Sequence, residues 1–149
     1  MQTPRTFELR GEGGIVAVEV LRYENPDSPD ATDRNWLACQ VTVDVPPFSG
    51  AFAVSLLADD LIDLGTALRE FLDGSHEELS FEPFEQWISF RIAKRSRGHA
   101  EVTGTLRATV ERRAELSFSI VSDQSYLSAT LSSLEGLQHD FPMVGGPHL

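Results

Sequence analysis

The feature that most constrains this chain is a change of hydrophobic period at Asp59. Before it, apolar residues recur at every second position. The clearest run is Leu37, Cys39, Val41, Val43 and Val45 on one face, with Trp36, Ala38, Gln40, Thr42 and Asp44 on the other. That alternation describes a half-buried strand with one wet face. Pro46-Pro47 ends it, because proline has no N–H to give a ladder. Phe48, Gly50, Phe52, Val54 and Leu56 then read as the inward row of a further strand. Upstream, Phe7–Arg10 and the β-branched run Ile15–Tyr23 flank Gly11-Glu12-Gly13-Gly14, a hairpin signal. Asn25–Asp33, with two prolines and three aspartates, reads as a loop.

From Asp59 the spacing becomes helical: Leu61, Leu64, Leu68, Phe71 and Leu72 fall on one face. Asp59 is the expected N-cap, Asp60 and Asp63 complement the helix dipole, and Gly74 supplies the left-handed residue that stops the helix. Leu79–Phe81, Trp87–Ile92, Ala100–Val110 and Glu115–Val121 return to strand character. Ser96-Arg97-Gly98 and Glu111-Arg112-Arg113 are the turns expected between the last three. A second helix, capped by Asp123, follows with Leu127, Leu131 and Leu134 on one face, and Gly136 weakens its last turn. The order is four strands, helix, four strands, helix. Short connections require antiparallel pairing. The expectation is a single α+β domain over 1–142: a curved, largely antiparallel sheet of about eight strands with a central and a C-terminal helix. Residues 143–149 are expected to form a disordered tail. A chain of 149 residues is long enough for one unaided core.

Charge is sorted along the chain. Asp59 to Glu85 holds nine carboxylates and one base, Arg69, whereas Arg91 to Arg113 holds seven bases and two acids. The net charge of −11 argues for a cationic partner and against nucleic acid or anionic membrane. No apolar run approaches the roughly 18–20 residues that span a bilayer. With one cysteine there is no internal disulfide, and Met1–Arg10 lacks a signal-peptide core. A cytoplasmic location is therefore expected.

No residue set stands out as catalytic. Cys39 falls on an inward row, so it reads as a small core hydrophobe and not as a nucleophile. His76, His99, His139 and His148 form no metal-ligand spacing. Gly11–Gly14 is not a phosphate loop, and Asp27, Asp30 and Asp33 have the wrong spacing for calcium. No cofactor or metal is expected. Arginines of the basic stretch lack the interleaved aromatics of an RNA site. Glu82 and Glu85, flanking Phe84, leave open a small hydrolase or lyase with a carboxylate pair in a sheet-lined pocket. A structural or oligomerisation module using strand edges or Trp36 is also open. The favoured reading is a non-enzymatic acidic binding protein. Its partner face is placed on Glu70, Asp73, Glu77, Glu78, Glu82 and Glu85, with Asp30, Asp33 and Trp36 as a second contact region.

Several short segments together resemble a known family. They are Asp33-Arg34-Asn35-Trp36-Leu37, Phe48-Ser49-Gly50-Ala51-Phe52, Glu82-Pro83 before Trp87-Ile88-Ser89-Phe90, Leu116-Ser117-Phe118 before Asp123-Gln124-Ser125-Tyr126-Leu127, and Phe141-Pro142. This layout, over roughly Phe7 to Pro142, resembles the WapI-like immunity proteins, antidotes to wall-associated contact-dependent bacterial toxins. The resemblance implies a non-enzymatic protein that binds and blocks a toxin, and it brings no catalytic residues with it; the acidic charge makes a cationic toxin domain the expected partner.

Overall fold

The computed structural model describes residues 5–108 and 113–144. Strands β1 (Thr6–Gly11), β2 (Gly14–Tyr23), β3 (Trp36–Val45) and β4 (Phe48–Leu57) form one antiparallel sheet in sequence order. Helix α2 (Ala58–Leu72) follows. Strands β5 (Glu78–Phe81), β6 (Ile88–Lys94), β7 (His99–Arg107) and β8 (Glu115–Asp123) form a second such sheet, followed by α3 (Gln124–Asp140). The expected α+β order thus stands, with eight strands shared between two sheets that do not close into a barrel. The loop after β2 contains one short helix that its prolines had concealed, α1 (Ala31–Arg34).

The two sheets meet edge to edge. Glu12 and Val121 exchange both backbone hydrogen bonds at 2.8 Å, and Ser122 Oγ donates to the Arg10 carbonyl at 2.7 Å. A side chain at Gly11 would place its Cβ 2.1 Å from the Val121 carbonyl oxygen, so this junction requires glycine. Inward rows from both sheets and the apolar faces of α2 and α3 build one core, including Phe7, Val18, Leu37, Leu56, Leu61, Ile88, Ile92, Ile120 and Leu134. Thr130 Oγ1 ties α3 to β1 by donating to the Glu8 carbonyl at 2.6 Å.

Buried Asn35 joins three segments. Its amide donates to the carbonyls of Ala31 and Val144, both at 2.9 Å, its Oδ1 accepts the Val144 N–H at 2.7 Å, and its carbonyl accepts the N–H of Ala58. Tyr23 donates its hydroxyl proton to the Pro142 carbonyl and stacks, tilted, on Phe141. These bonds seat the end of the described chain under the first sheet. Residues 145–149 of the expected tail and most of the Glu111-Arg112-Arg113 turn lie outside the described residues.

Two local expectations are corrected. Asp59 is not the N-cap of α2. The helix starts at Ala58, and Asp60 reaches back to accept the Leu57 N–H at 2.8 Å. A carboxylate at the third helical position satisfies an orphan donor as well as one at the cap. The inward row of β4 is also only half buried: Val54 and Leu56 are covered, but Gly50 is exposed and Phe48 is 61% exposed. Alternation decides which side a residue points to, and burial then needs a second layer, which Phe48 lacks. By contrast, the Asp123 cap, accepting the Tyr126 N–H at 2.9 Å, and left-handed Gly74 after α2 are as expected.

Candidate protein-binding surface

The acidic stretch folds into the start of α2, the end of α2 with the turn after it, and the short strand β5 with the loop that follows. The structure distributes the six predicted carboxylates unequally among these. Glu70 pairs with His76 at 3.2 Å, Glu78 with Arg91 across β5 and β6, and Asp73 accepts the N–H and hydroxyl of Ser75. Hydrogen bonds from Ser75 hold the Asp73 carboxyl below its ordinary range. Glu77, Glu82 and Glu85 are exposed and have no ion-pair partner among the described residues.

Glu82 instead meets two carboxylates that sequence reasoning had assigned only to the helix dipole. Asp60, Asp63 and Glu82, with Ser80 and Pro83, line an open cavity of about 280 Å³. Asp60 has its carboxyl pushed up, first by burial and then by the charges of Asp63 and Asp59. Like charges are held together here without a neutralising base, the electrostatic condition that a cationic guest relieves.

Beside this cavity is Phe84, 82% exposed. Pro83–Gln86 is closed by a Gln86 N–H bond to the Pro83 carbonyl at 3.0 Å, and Arg107 holds its base through the Gln86 carbonyl. Trp87 is half-buried against the core. The turn therefore presents one exposed aromatic ring between Glu82 and Glu85. The signal for it was legible as a large apolar residue between two charges, but sequence reasoning weighed only the carboxylates. Glu85 lines neither open cavity that Glu82 borders, so the structure does not bring the two into one cleft.

The second contact region divides. Asp30 caps α1 by accepting the N–H groups of Thr32 and Asp33 at 2.8 and 3.2 Å, Asp33 is exposed in its first turn, and Trp36 is half-buried at the start of β3. Three bases of the basic stretch are paired, Arg91 with Glu78, Arg95 with Glu101, and Arg107 with Glu115 at 2.8 Å, while Lys94 lies over the Phe71 ring. Cys39 is buried, and burial, with Glu24 and Asp60 adding to it, pushes its thiol up to about 12. Among the described residues, no group of three or more His, Cys, Asp or Glu side chains could hold a metal ion, and no helix is long and apolar enough to cross a membrane.

A family model described as "Immunity protein WapI-like family" matches residues 7–142. No curated protein matches the chain. Among solved structures it is similar to Trypanosoma MRP1/MRP2, with TM-score 0.52 and 10% identity over 93% of this chain and 86% of that one. A guide-RNA-binding protein complex bound to its RNA gives 0.50 and 11% identity, covering 93% and 92%. The plant transcriptional regulator PBF-2 gives 0.50 and 10%, covering 95% and 84%. At such identities the likeness is one of fold.

Proposed function

The chain belongs to the WapI-like immunity protein family, and from that premise we propose that it is a non-enzymatic antidote that binds and blocks a cationic toxin domain. One observation supports this most: an exposed aromatic, Phe84, stands between unpaired carboxylates and beside the Asp60–Asp63–Glu82 cavity. Exposed rings that enter a partner's pocket dominate binding energy, and surrounding charges set the rate and the choice of partner. A basic toxin surface would neutralise carboxylates that the fold itself leaves unopposed. In the second sheet the strand arginines Arg91 and Arg107 are already paired with Glu78 and Glu115. The contact surface assigned here is Asp63, Glu77, Glu82, Phe84 and Glu85, with the paired Glu70, Asp73 and Glu78 at its rim.

Phe84→Ala tests the reading. It removes no core contact, so thermal stability should stay as in the parent. Affinity for a purified cognate toxin domain should fall by roughly 2 kcal/mol, about thirtyfold. Unchanged affinity, measured calorimetrically, would remove Phe84 from the interface.

A further inference from the structure

We propose that β4 is a strand-addition edge, and that its occupant is an extended, cation-flanked strand of the toxin domain. The inference rests on the immunity reading and names how that partner is held.

The argument starts from the four outer strands of the two sheets. β1 and β8 face one another and are bridged by Glu12 and Val121. β5 is four residues long, carries Glu78, is flanked by Glu77 and Glu82, and stops at Pro83. Shortness, charge and proline are the devices that protect an edge from foreign strands. Within its own length β4 has none of them, Pro46-Pro47 and Asp59-Asp60 lying just outside it. It runs ten residues, Phe48 to Leu57, without a charge or a proline, and its register with β3 has no bulge. A long, unbulged, uncharged edge is a template for another strand.

The hydrogen-bond parity sharpens this. The Ala58 N–H bonds to the Asn35 carbonyl, and the Glu24 N–H bonds to the Trp36 carbonyl on the opposite side of β3. Alternation along an antiparallel pair then assigns the backbone groups of Gly50, Phe52, Val54 and Leu56 to β3. Those of Ser49, Ala51, Ala53 and Ser55 point away from the sheet. All four outward positions carry small side chains, so nothing bulky stands beside the free donors and acceptors.

Charge decides between occupants. Asp44 pairs with Ser49 in register at one end, Glu24 accepts the Ser55 hydroxyl at the other, and Asp59, Asp60 and Asp63 follow directly in α2. The nearest base in register, Arg22, lies two strands away on the row Arg22–Ala38–Ser55. Antiparallel self-pairing would carry the Asp59–Asp60 end of one copy against the Asp44 end of the other. A second copy thus meets like charge at both ends, whereas a strand with lysines or arginines at its ends meets opposite charge.

The test is hydrogen exchange on the full chain with a synthetic ten-residue peptide of alternating valine and threonine with lysines at both ends. At about ten times its Kd, amides of Ser49, Ala51, Ala53 and Ser55 should exchange about tenfold more slowly, while Gly50, Phe52, Val54 and Leu56 are protected throughout. The same peptide with glutamate ends should leave the four unchanged. Ala53→Pro, which removes an outward N–H only, should abolish the protection, and Ala51→Lys should do so if the proline variant does not fold. No slowing with the lysine peptide would overturn the proposal. So would protection that appears with rising protein concentration alone, which assigns the edge to a second copy. A cognate toxin that binds without protecting the four amides would overturn the edge and leave the immunity reading standing. Failure of every toxin to bind, with the peptide still protecting β4, would overturn that reading instead.

Discussion

The acidic and basic stretches of this chain meet different fates on folding. Antiparallel pairing sets Arg107 against Glu115 and brings Glu78 diagonally within reach of Arg91, and Arg95 finds Glu101 across the β6–β7 connection. The acidic stretch is divided between a helix and a loop, where Asp60, Asp63 and Glu82 gather with no base among them and Glu85 flanks a bare aromatic. Segregation along a sequence is therefore a poor guide to segregation on a surface. Strands cancel charges that lie opposite one another, whereas a helix start and a tight loop leave theirs for something outside the chain.

If that difference is one of surface only, the cores beneath the two stretches should respond alike. Leu61, under the acidic half, and Ile92, under the basic half, are each fully buried. Leu61→Ala and Ile92→Ala should each cost roughly 2–5 kcal/mol by chemical denaturation. A loss under 1 kcal/mol at either position would show that its half is not packed as described.

A smaller effect concerns burial itself, which shifts the Cys39 thiol more than the nearby charges of Glu24 and Asp60 do. The Cys39 thiol, ordinarily at 9.0, stands at about 12. Between those values the unfolded chain releases a proton that the folded one holds. Stability is therefore full below pH 9 and falls as pH rises toward 12, by roughly 1.4 kcal/mol per unit. Cys39→Ala should remove that part of the slope. Native protein at pH 8 should resist thiol reagents until it is unfolded, and rapid labelling of the folded chain would contradict this burial.

The smallest effect is expected where charges are already paired. Arg95→Gln and Arg91→Gln each break an exposed ion pair, worth about 0–1 kcal/mol. Neither should alter toxin association by more than about twofold, since the paired base contributes little net field. A larger change in association would mean that the basic half belongs to the interface.

Much of the fold was legible because local signals agreed with one another. The period-2 run at Leu37–Val45, the helical spacing of Leu61–Phe71, the Asp123 cap and Gly74 each name their own element. The family-like segments now have physical content, since Asn35 holds Ala31, Ala58 and Val144, and Phe141-Pro142 receives Tyr23. What was not legible depends on neighbours distant in sequence. Phe48 has the right period for burial but no layer over it. Glu82 joins Asp60 and Asp63 only because β5 packs beside α2. Glu78 found Arg91 through the β5–β6 pairing. The parity that leaves Ser49, Ala51, Ala53 and Ser55 unpaired follows from register, which sequence alone does not fix.

The most direct test of the central claim is the rate of association with a purified cognate toxin domain as a function of salt. Charge reversal at Asp63, Glu82 and Glu85 targets the carboxylates that the fold leaves open. The triple variant, with folding verified by circular dichroism, should associate about a hundredfold more slowly at low ionic strength, with most of the difference gone near 0.5 M salt. Identical association rates for parent and variant across the salt series would contradict the assignment of this face to toxin binding.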